Sequence, residues 1–146
     1  MNYLQTLQDY EALCDHADSI ATAYILATAE DTGRVEQSYF TFDFPCVYAD
    51  DDGNPYVKDD ATYEVSWTET WAHGGYEDHR HHIPFRLLLM DKLEALAEIE
   101  ALAQARAKAR AEREQAEDER AEAKRREVYL RLRAEFGEGQ DEPATG

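Results

Sequence analysis

The chain has 146 residues, of which 32 are Asp or Glu and 15 are Lys or Arg, so its net charge is −17. This length fits one domain of ordinary size, and so acidic a surface repels nucleic-acid phosphates and anionic membranes. We therefore expect no direct nucleic acid and no membrane contact, and we expect a protein partner with a basic surface. A role of the charge in solubility alone stays open.

The negative charge is concentrated in the N-terminal part of the chain. Residues 1–87 hold 17 acidic and 4 basic side chains, whereas residues 88–146 hold 15 acidic and 11 basic ones. We predict an acidic helix-plus-sheet head at 1–87, a long charged helical arm at 88–136 and a disordered tail at 137–146. The tail is polar and contains glycine and proline, which is typical of disorder.

The compartment is inferred from targeting and cysteine patterns. Met1 to Ser19 has neither the basic start nor the apolar stretch of a signal peptide. The longest apolar run, Leu87 to Met90, is too short to cross a bilayer. Cys14 and Cys46 lack CxxC spacing, so we expect a cytoplasmic protein with both thiols reduced.

The N-terminal region contains a helix and a segment with an ambiguous pattern. Apolar residues step by three or four from Leu4 onwards and predict a helix over Tyr3–Ala17, with Asn2 as its cap. Ile20–Ala29 fits either a helix or a strand. Its Thr, Tyr and Ile residues favour a strand, and the following Asp-Thr-Gly suits a hairpin loop, so we predict a strand.

Three more strands are predicted after this segment. Val35–Tyr48 alternates with period two, and Pro45 indicates a sheet edge or a bulge there. Thr62–Ala72 and Tyr76–Phe85 flank a tight turn. The predicted fold class is therefore α+β, with an N-terminal helix, a four-stranded antiparallel meander and a long charged C-terminal helix.

The aromatic residues of the last two strands fit either a core or a recognition surface. We expect them in the core, because so small a head needs their buried area. Glu64 lies on the opposite, solvated face of the same strand. The aromatic residues are Tyr63, Trp67, Trp71 and Tyr76.

A long helix is predicted from Leu87 to Phe136, because neither Gly nor Pro interrupts this stretch. Its apolar first part can pack on the sheet or on a partner helix. Its middle offers only alanine and is supported by opposite charges four residues apart. Its end carries an apolar patch that is a candidate docking site, and a homodimer through this helix is one expectation. The patch consists of Val128, Tyr129, Leu132 and Phe136.

The histidines of the last strand are candidate metal ligands. His79 and His81 share one strand face with Glu77. A zinc site needs three or four ligands, and the second ligand pair of the known zinc patterns is missing. We therefore treat both histidines as weak candidates and expect neither a resident metal nor another cofactor.

Six residues between Trp67 and Leu89 form a recognisable pattern: Trp71, Gly74, Gly75, Tyr76, Pro84 and Arg86. On these residues the segment resembles small uncharacterised acidic proteins of bacteriophages and mobile elements. The resemblance implies no activity by itself. Small acidic phage proteins often inhibit host defence enzymes, anti-CRISPR proteins among them, and some imitate the charge of DNA. For a phage-encoded protein the compartment is the host cytoplasm.

No residue set forms a catalytic signature, so a non-enzymatic binding protein is the leading hypothesis. The acidic head would dock on a basic, nucleic-acid-binding surface of its target. A structural or assembly protein that self-associates through the long helix is the first alternative, and a metal-dependent enzyme using the histidine cluster is the second. The docking residues expected in the head are Asp50, Asp51, Asp52, Asp59, Asp60 and Glu64.

Overall fold

A computed structural model describes residues 2–137 and shows the predicted α+β class. Of the predicted tail, residues 137–146, only Gly137 is described, and it ends the last helix; the rest lies outside the described residues. The helices are α1 (Tyr3–Thr28), α2 (Phe85–Leu89) and α3 (Lys92–Gly137), with a 3-10 turn at Val35–Gln37. The strands are β1 (Thr41–Asp43), β2 (Tyr48–Ala49), β3 (Pro55–Tyr56), β4 (Thr62–Thr70) and β5 (Tyr76–Pro84).

The main sheet has three antiparallel strands in the order β1-β4-β5. β2 and β3 form a separate two-stranded ribbon, which the chain builds between β1 and β4. β1 lies at a sheet edge, which is one of the two arrangements that Pro45 indicated, but it covers only Thr41–Asp43 of the predicted strand Val35–Tyr48 and ends before the proline. The predicted four-stranded meander is therefore a three-stranded sheet with a short ribbon inserted after its first strand.

The predicted strand at Ile20–Ala29 is wrong, because residues 20–28 form the second half of α1. Ile20, Ala21 and Ile25 follow Ala17 at helical spacing, and all four side chains are fully buried. An apolar set with this period buries completely only on a helix. Burial of the two isoleucines contributes about 1.5–3 kcal/mol each, which outweighs the small strand preference of β-branched residues.

The first half of α1 begins at the predicted cap, but its apolar stripe is exposed. The Gln5 N–H donates to Oδ1 of Asn2 at 3.2 Å, so Asn2 caps the helix. The apolar residues of this half remain on the surface, with Leu4 74% exposed. The second half of α1 is therefore the part of the helix that packs in the core. The exposed apolar residues of the first half are Tyr3, Leu4, Leu7, Tyr10 and Leu13.

The core forms where the inner face of β4 meets α1. Tyr63 and Trp67 are buried as predicted, and the Tyr63 hydroxyl donates to the Ala17 carbonyl at 3.2 Å. This hydrogen bond satisfies the phenol inside the core and fixes α1 on the sheet. Trp71 and Tyr76 were expected in the core, but they flank the hairpin turn and are 46% and 69% exposed.

The predicted helix from Leu87 onwards is divided into α2 and α3. Met90 is extended, with φ −79° and ψ 157°, and α3 starts at Lys92. Asp91 followed by Glu94 is the pattern of a helix N-terminus, which explains the break without a glycine or proline. A hydrogen-bonded ion pair between Arg86 and Glu98 then joins the two helices and lowers the pKa of Glu98.

The chain forms two compact units, residues 1–104 and residues 105–146. The second unit is described as far as Gly137 and consists of the later turns of α3. Ion pairs four residues apart occur there as predicted, at 4.0 Å between Lys108 and Glu112 and at 3.4 Å between Glu122 and Arg126. Within residues 2–137, no helix has the length and apolar character needed to span a bilayer.

The two halves of α1 should respond differently to truncation. We expect Ile25→Ala to lower the free energy of unfolding by about 2–5 kcal/mol, because it leaves a cavity in the core. The matched variant Leu7→Ala removes an exposed side chain and should cost less than about 1 kcal/mol. Urea unfolding of both variants measures the difference, and equal losses would contradict the assigned packing.

Candidate functional site

Three aromatic rings form a stack on the inner face of the β4–β5 hairpin. Trp67 lies directly opposite His79, and His81 is two residues further along the same face. Both imidazole rings stack on the indole, with ring centroids 4.8 Å away for His79 and 5.1 Å for His81. The interplanar angles of 16° and 14° show nearly parallel rings. The stack therefore fixes the orientation of His79.

A charged cluster, which we call the Glu69 cluster, lies beside this stack and comprises Glu69, Glu77, His79 and Arg34. Nε2 of His79 is 3.3 Å from Oε2 of Glu69 and 3.9 Å from Oε2 of Glu77. Nε of Arg34 is 3.9 Å from the other carboxylate oxygen of Glu69. The side chains of His79 and Glu69 are only 9% and 11% exposed, whereas that of Glu77 is 51% exposed. The cluster thus has a sheltered pair and one accessible carboxylate.

The loop after α1 covers the Glu69 cluster at Gly33. Gly33 has φ +50°, and its N–H donates to Oδ1 of Asp31 at 3.0 Å. A Cβ at this position would collide with the carboxylate of Glu69. The left-handed backbone favours glycine at this position, and a larger residue would also displace the Glu69 carboxylate.

Burial changes the pKa of two groups near this face. The pKa of His81 is lowered, first by burial and then by repulsion from His79 and His82. This side chain is therefore held neutral over more of the pH range than an exposed histidine. Burial also raises the pKa of Tyr63, and the negative charge of Asp18 adds to the effect. The phenol stays protonated and keeps its hydrogen bond to α1.

The two weak metal candidates lie in different surroundings. His79 belongs to a group with Glu69 and Glu77 in which one ligand atom from each lies within 4.8 Å of the others. His81 lies outside that group and packs on Trp67. Sequence reasoning missed Glu69, although the Trp71–Gly75 turn places it opposite Glu77 in the hairpin register. This pairing in the hairpin register was the signal from which Glu69 could have been identified.

The aspartates expected to bind a partner are all exposed. Asp50 caps its own turn, with Oδ1 accepting from the N–H groups of Asp52 at 3.0 Å and Asn54 at 2.7 Å. Glu64 lies on the outer sheet face, 3.9 Å from Arg80. Within residues 2–137, none of the five aspartates forms an ion pair: Asp50, Asp51, Asp52, Asp59 and Asp60.

A second acidic feature, which we call the α1 groove, lies between α1 and the segment before β1. Its volume is about 360 Å³. Carboxylates from both walls line it beside aromatic side chains, a combination suited to a Lys or Arg side chain. Sequence reasoning missed this groove, because its two walls are separate in the sequence and come together only in the folded chain. Its acidic lining residues are Asp15, Asp18 and Glu36, and its aromatic ones are Tyr39, Phe40 and Phe42.

The apolar patch predicted near the end of α3 is exposed. Tyr129 and Phe136 are 62% and 67% exposed. Basic residues flank the patch, because the segment 124–133 contains five Lys or Arg and one Glu. The second unit therefore carries an apolar surface with positive charge beside it.

Comparisons with protein-family models, with curated proteins and with solved structures find no match. None of these three comparisons therefore contributes to the functional argument.

Trp67 should be the aromatic side chain on which the stack depends. We expect Trp67→Ala to cost about 3–5 kcal/mol of unfolding free energy, because it removes a buried indole from between two imidazoles and the core. Trp67→Phe should cost clearly less, because it keeps a ring there. It also removes Nε1, which is buried without a partner among the described residues.

Urea unfolding of the Trp67 variants beside Trp71→Ala provides the measurement and the control. Trp71 is exposed near the turn, so its truncation should have a small effect. A loss for Trp71→Ala as large as that for Trp67→Ala would contradict the assigned core.

Proposed function

We propose that this protein is a non-enzymatic binding protein whose first unit docks on the basic surface of another protein. The supporting observation is the separation of charge between the two units. Residues 1–104 carry 21 acidic and 5 basic side chains, a net charge of −16, whereas residues 105–146 carry 11 and 10. Such a field attracts a cationic protein and repels nucleic acid.

The proposed docking surface of this protein combines the five exposed aspartates with the α1 groove. The five exposed aspartates supply long-range attraction, because no cation of the described chain neutralises them. The α1 groove supplies a position for one Lys or Arg side chain, between carboxylates and aromatic rings. The exposed aspartates raise the association rate by attracting the partner, and the α1 groove adds specificity by accepting one of its side chains.

A narrower form of the proposal concerns the class of target. The segment Trp67–Leu89 resembles segments of phage and mobile-element proteins, and proteins of that kind often block host defence. An acidic surface suits a nucleic-acid-binding site, which is basic by necessity. We propose an inhibitor of a host defence or nucleic-acid-binding protein, of which anti-CRISPR proteins are one class, acting in the host cytoplasm.

The electrostatic part is tested with a synthetic amphipathic peptide of Lys and Leu residues, labelled for fluorescence anisotropy. We expect its affinity for the full chain to fall roughly tenfold or more between about 0.05 M and about 0.5 M NaCl, because salt screens exposed charge. The control peptide has Glu in place of Lys and should not bind. Affinity independent of salt would contradict the proposal.

The contribution of the α1 groove is tested with two variants of equal charge change. One combines Asp15→Asn, Asp18→Asn and Glu36→Gln, and the other combines Asp51→Asn, Asp52→Asn and Asp59→Asn. We expect the groove variant to weaken peptide binding more, because it also removes short-range contacts. Equal losses would assign binding to net charge instead of the groove, and unchanged binding in both would overturn the proposal.

A second candidate function is self-association through the end of α3, and the exposed patch beside Tyr129 favours it. We expect light scattering to show a larger species at high concentration for the natural chain, and a monomer for Leu132→Glu. Ala111→Glu adds the same charge elsewhere on α3 and should behave like the natural chain. A natural chain that stays monomeric at every concentration would remove this candidate.

A further inference from the structure

The Glu69 cluster has the donor set and spacing of a metal site that neither the acidic surface nor the proposed docking uses. Glu69 and Glu77 lie opposite each other across β4 and β5, and His79 follows on the same face. One nitrogen and two carboxylate oxygens thus converge, all within 4.8 Å of one another. We propose that Glu69, Glu77 and His79 bind one divalent transition-metal ion.

The distances between the donor atoms fit the coordination sphere of such an ion. Zinc bonds of about 2.0–2.2 Å in a tetrahedral arrangement place neighbouring ligand atoms about 3.3–3.5 Å apart. Nε2 of His79 and Oε2 of Glu69 already have this separation, at 3.3 Å. Oε2 of Glu77 is 3.9 Å from the same nitrogen, and its exposed side chain is free to close that difference.

The surrounding residues hold two of the three ligands in place. The indole of Trp67 stacks on the His79 ring and restricts its rotation. Arg34 contacts Oε1 of Glu69, which leaves Oε2 for the ion, and Gly33 closes over that carboxylate. Outer groups of this kind orient ligands and raise metal affinity. The binding site is therefore largely formed before the ion arrives.

Charge favours a divalent cation at this position. The Glu69 side chain is only 11% exposed, and a carboxylate with so little access to water is stabilised by a nearby cation. The two carboxylates can supply two negative charges to an ion, and Nε of Arg34 lies 3.9 Å from one oxygen of Glu69. An imidazole ligand favours a transition metal such as zinc, nickel or iron over calcium and magnesium. Three protein ligands also leave at least one coordination position for water.

The outer face of the same hairpin provides a natural control. Glu64 lies 3.8 Å from His82 and 3.9 Å from Arg80, so the same residue types meet there. Among the described residues that arrangement has no third ligand, and it is more exposed, with the His82 side chain at 64%. Substitutions at Glu64 and His82 change charge and histidine content without touching the proposed site.

The test uses the full chain after chelator treatment, titrated with Co²⁺ and followed by visible absorption. Bound zinc is counted by elemental analysis after dialysis against Zn²⁺. We expect one ion per chain, and at least about tenfold weaker binding for Glu69→Gln and for His79→Asn. Glu77→Gln should also weaken binding, and this exposed substitution leaves the core intact.

The control variants Glu64→Gln and His82→Asn should bind Co²⁺ like the natural chain. Absence of a saturable cobalt spectrum in the natural chain would overturn the proposal and leave the cluster as an ion pair. Equal weakening by the control variants would overturn it as well, because binding would then follow surface charge. Neither result bears on the peptide affinity that tests the docking function.

Discussion

The register of the β4–β5 hairpin determines both the core and the Glu69 cluster. The backbone hydrogen bond from the Trp71 N–H to the Gly75 carbonyl closes the turn and aligns Trp67 with His79. Because side chains alternate along a strand, a slip of one residue would turn the buried aromatic residues to solvent and the cluster outwards. Tyr63 then locks this arrangement, since its hydroxyl reaches the α1 backbone.

The hairpin was predictable from the sequence because its signals are local. A glycine pair marks the turn, with φ +81° at Gly74, and period-two alternation marks both strands. The same reasoning gave the α+β class and the edge position of the first sheet strand. It failed at Ile20–Ala29, where β-branched residues favoured a strand and the helical spacing of Ala17, Ile20 and Ala21 was the better signal. Burial on the sheet decided the outcome.

Two features of the candidate sites depend on the path of the chain between elements. Arg34 and Gly33 reach Glu69 only because the loop after α1 crosses the end of the sheet. Similarly, the α1 groove exists because Glu36 in the 3-10 turn faces Asp15 and Asp18. No periodicity in the sequence predicts these contacts. The sequence therefore showed the negative charge of the acids but not the sites that they form in the fold. The position of Glu69 could be predicted in part, because the hairpin register alone pairs it with Glu77.

The acids of the first unit thus belong to two physical classes. The exposed aspartates form no ion pair with any residue of 2–137, so their field extends into solvent and weakens with ionic strength. Glu69 is sheltered by the loop and contacts His79 and Arg34, so salt screens it much less. The proposed docking of a cationic partner and the proposed binding of a metal ion therefore draw on different carboxylates. Since the residues of the two proposals do not overlap, one property can be lost without the other: the exposed aspartates lie in turns, whereas the proposed metal ligands lie on the β4–β5 hairpin.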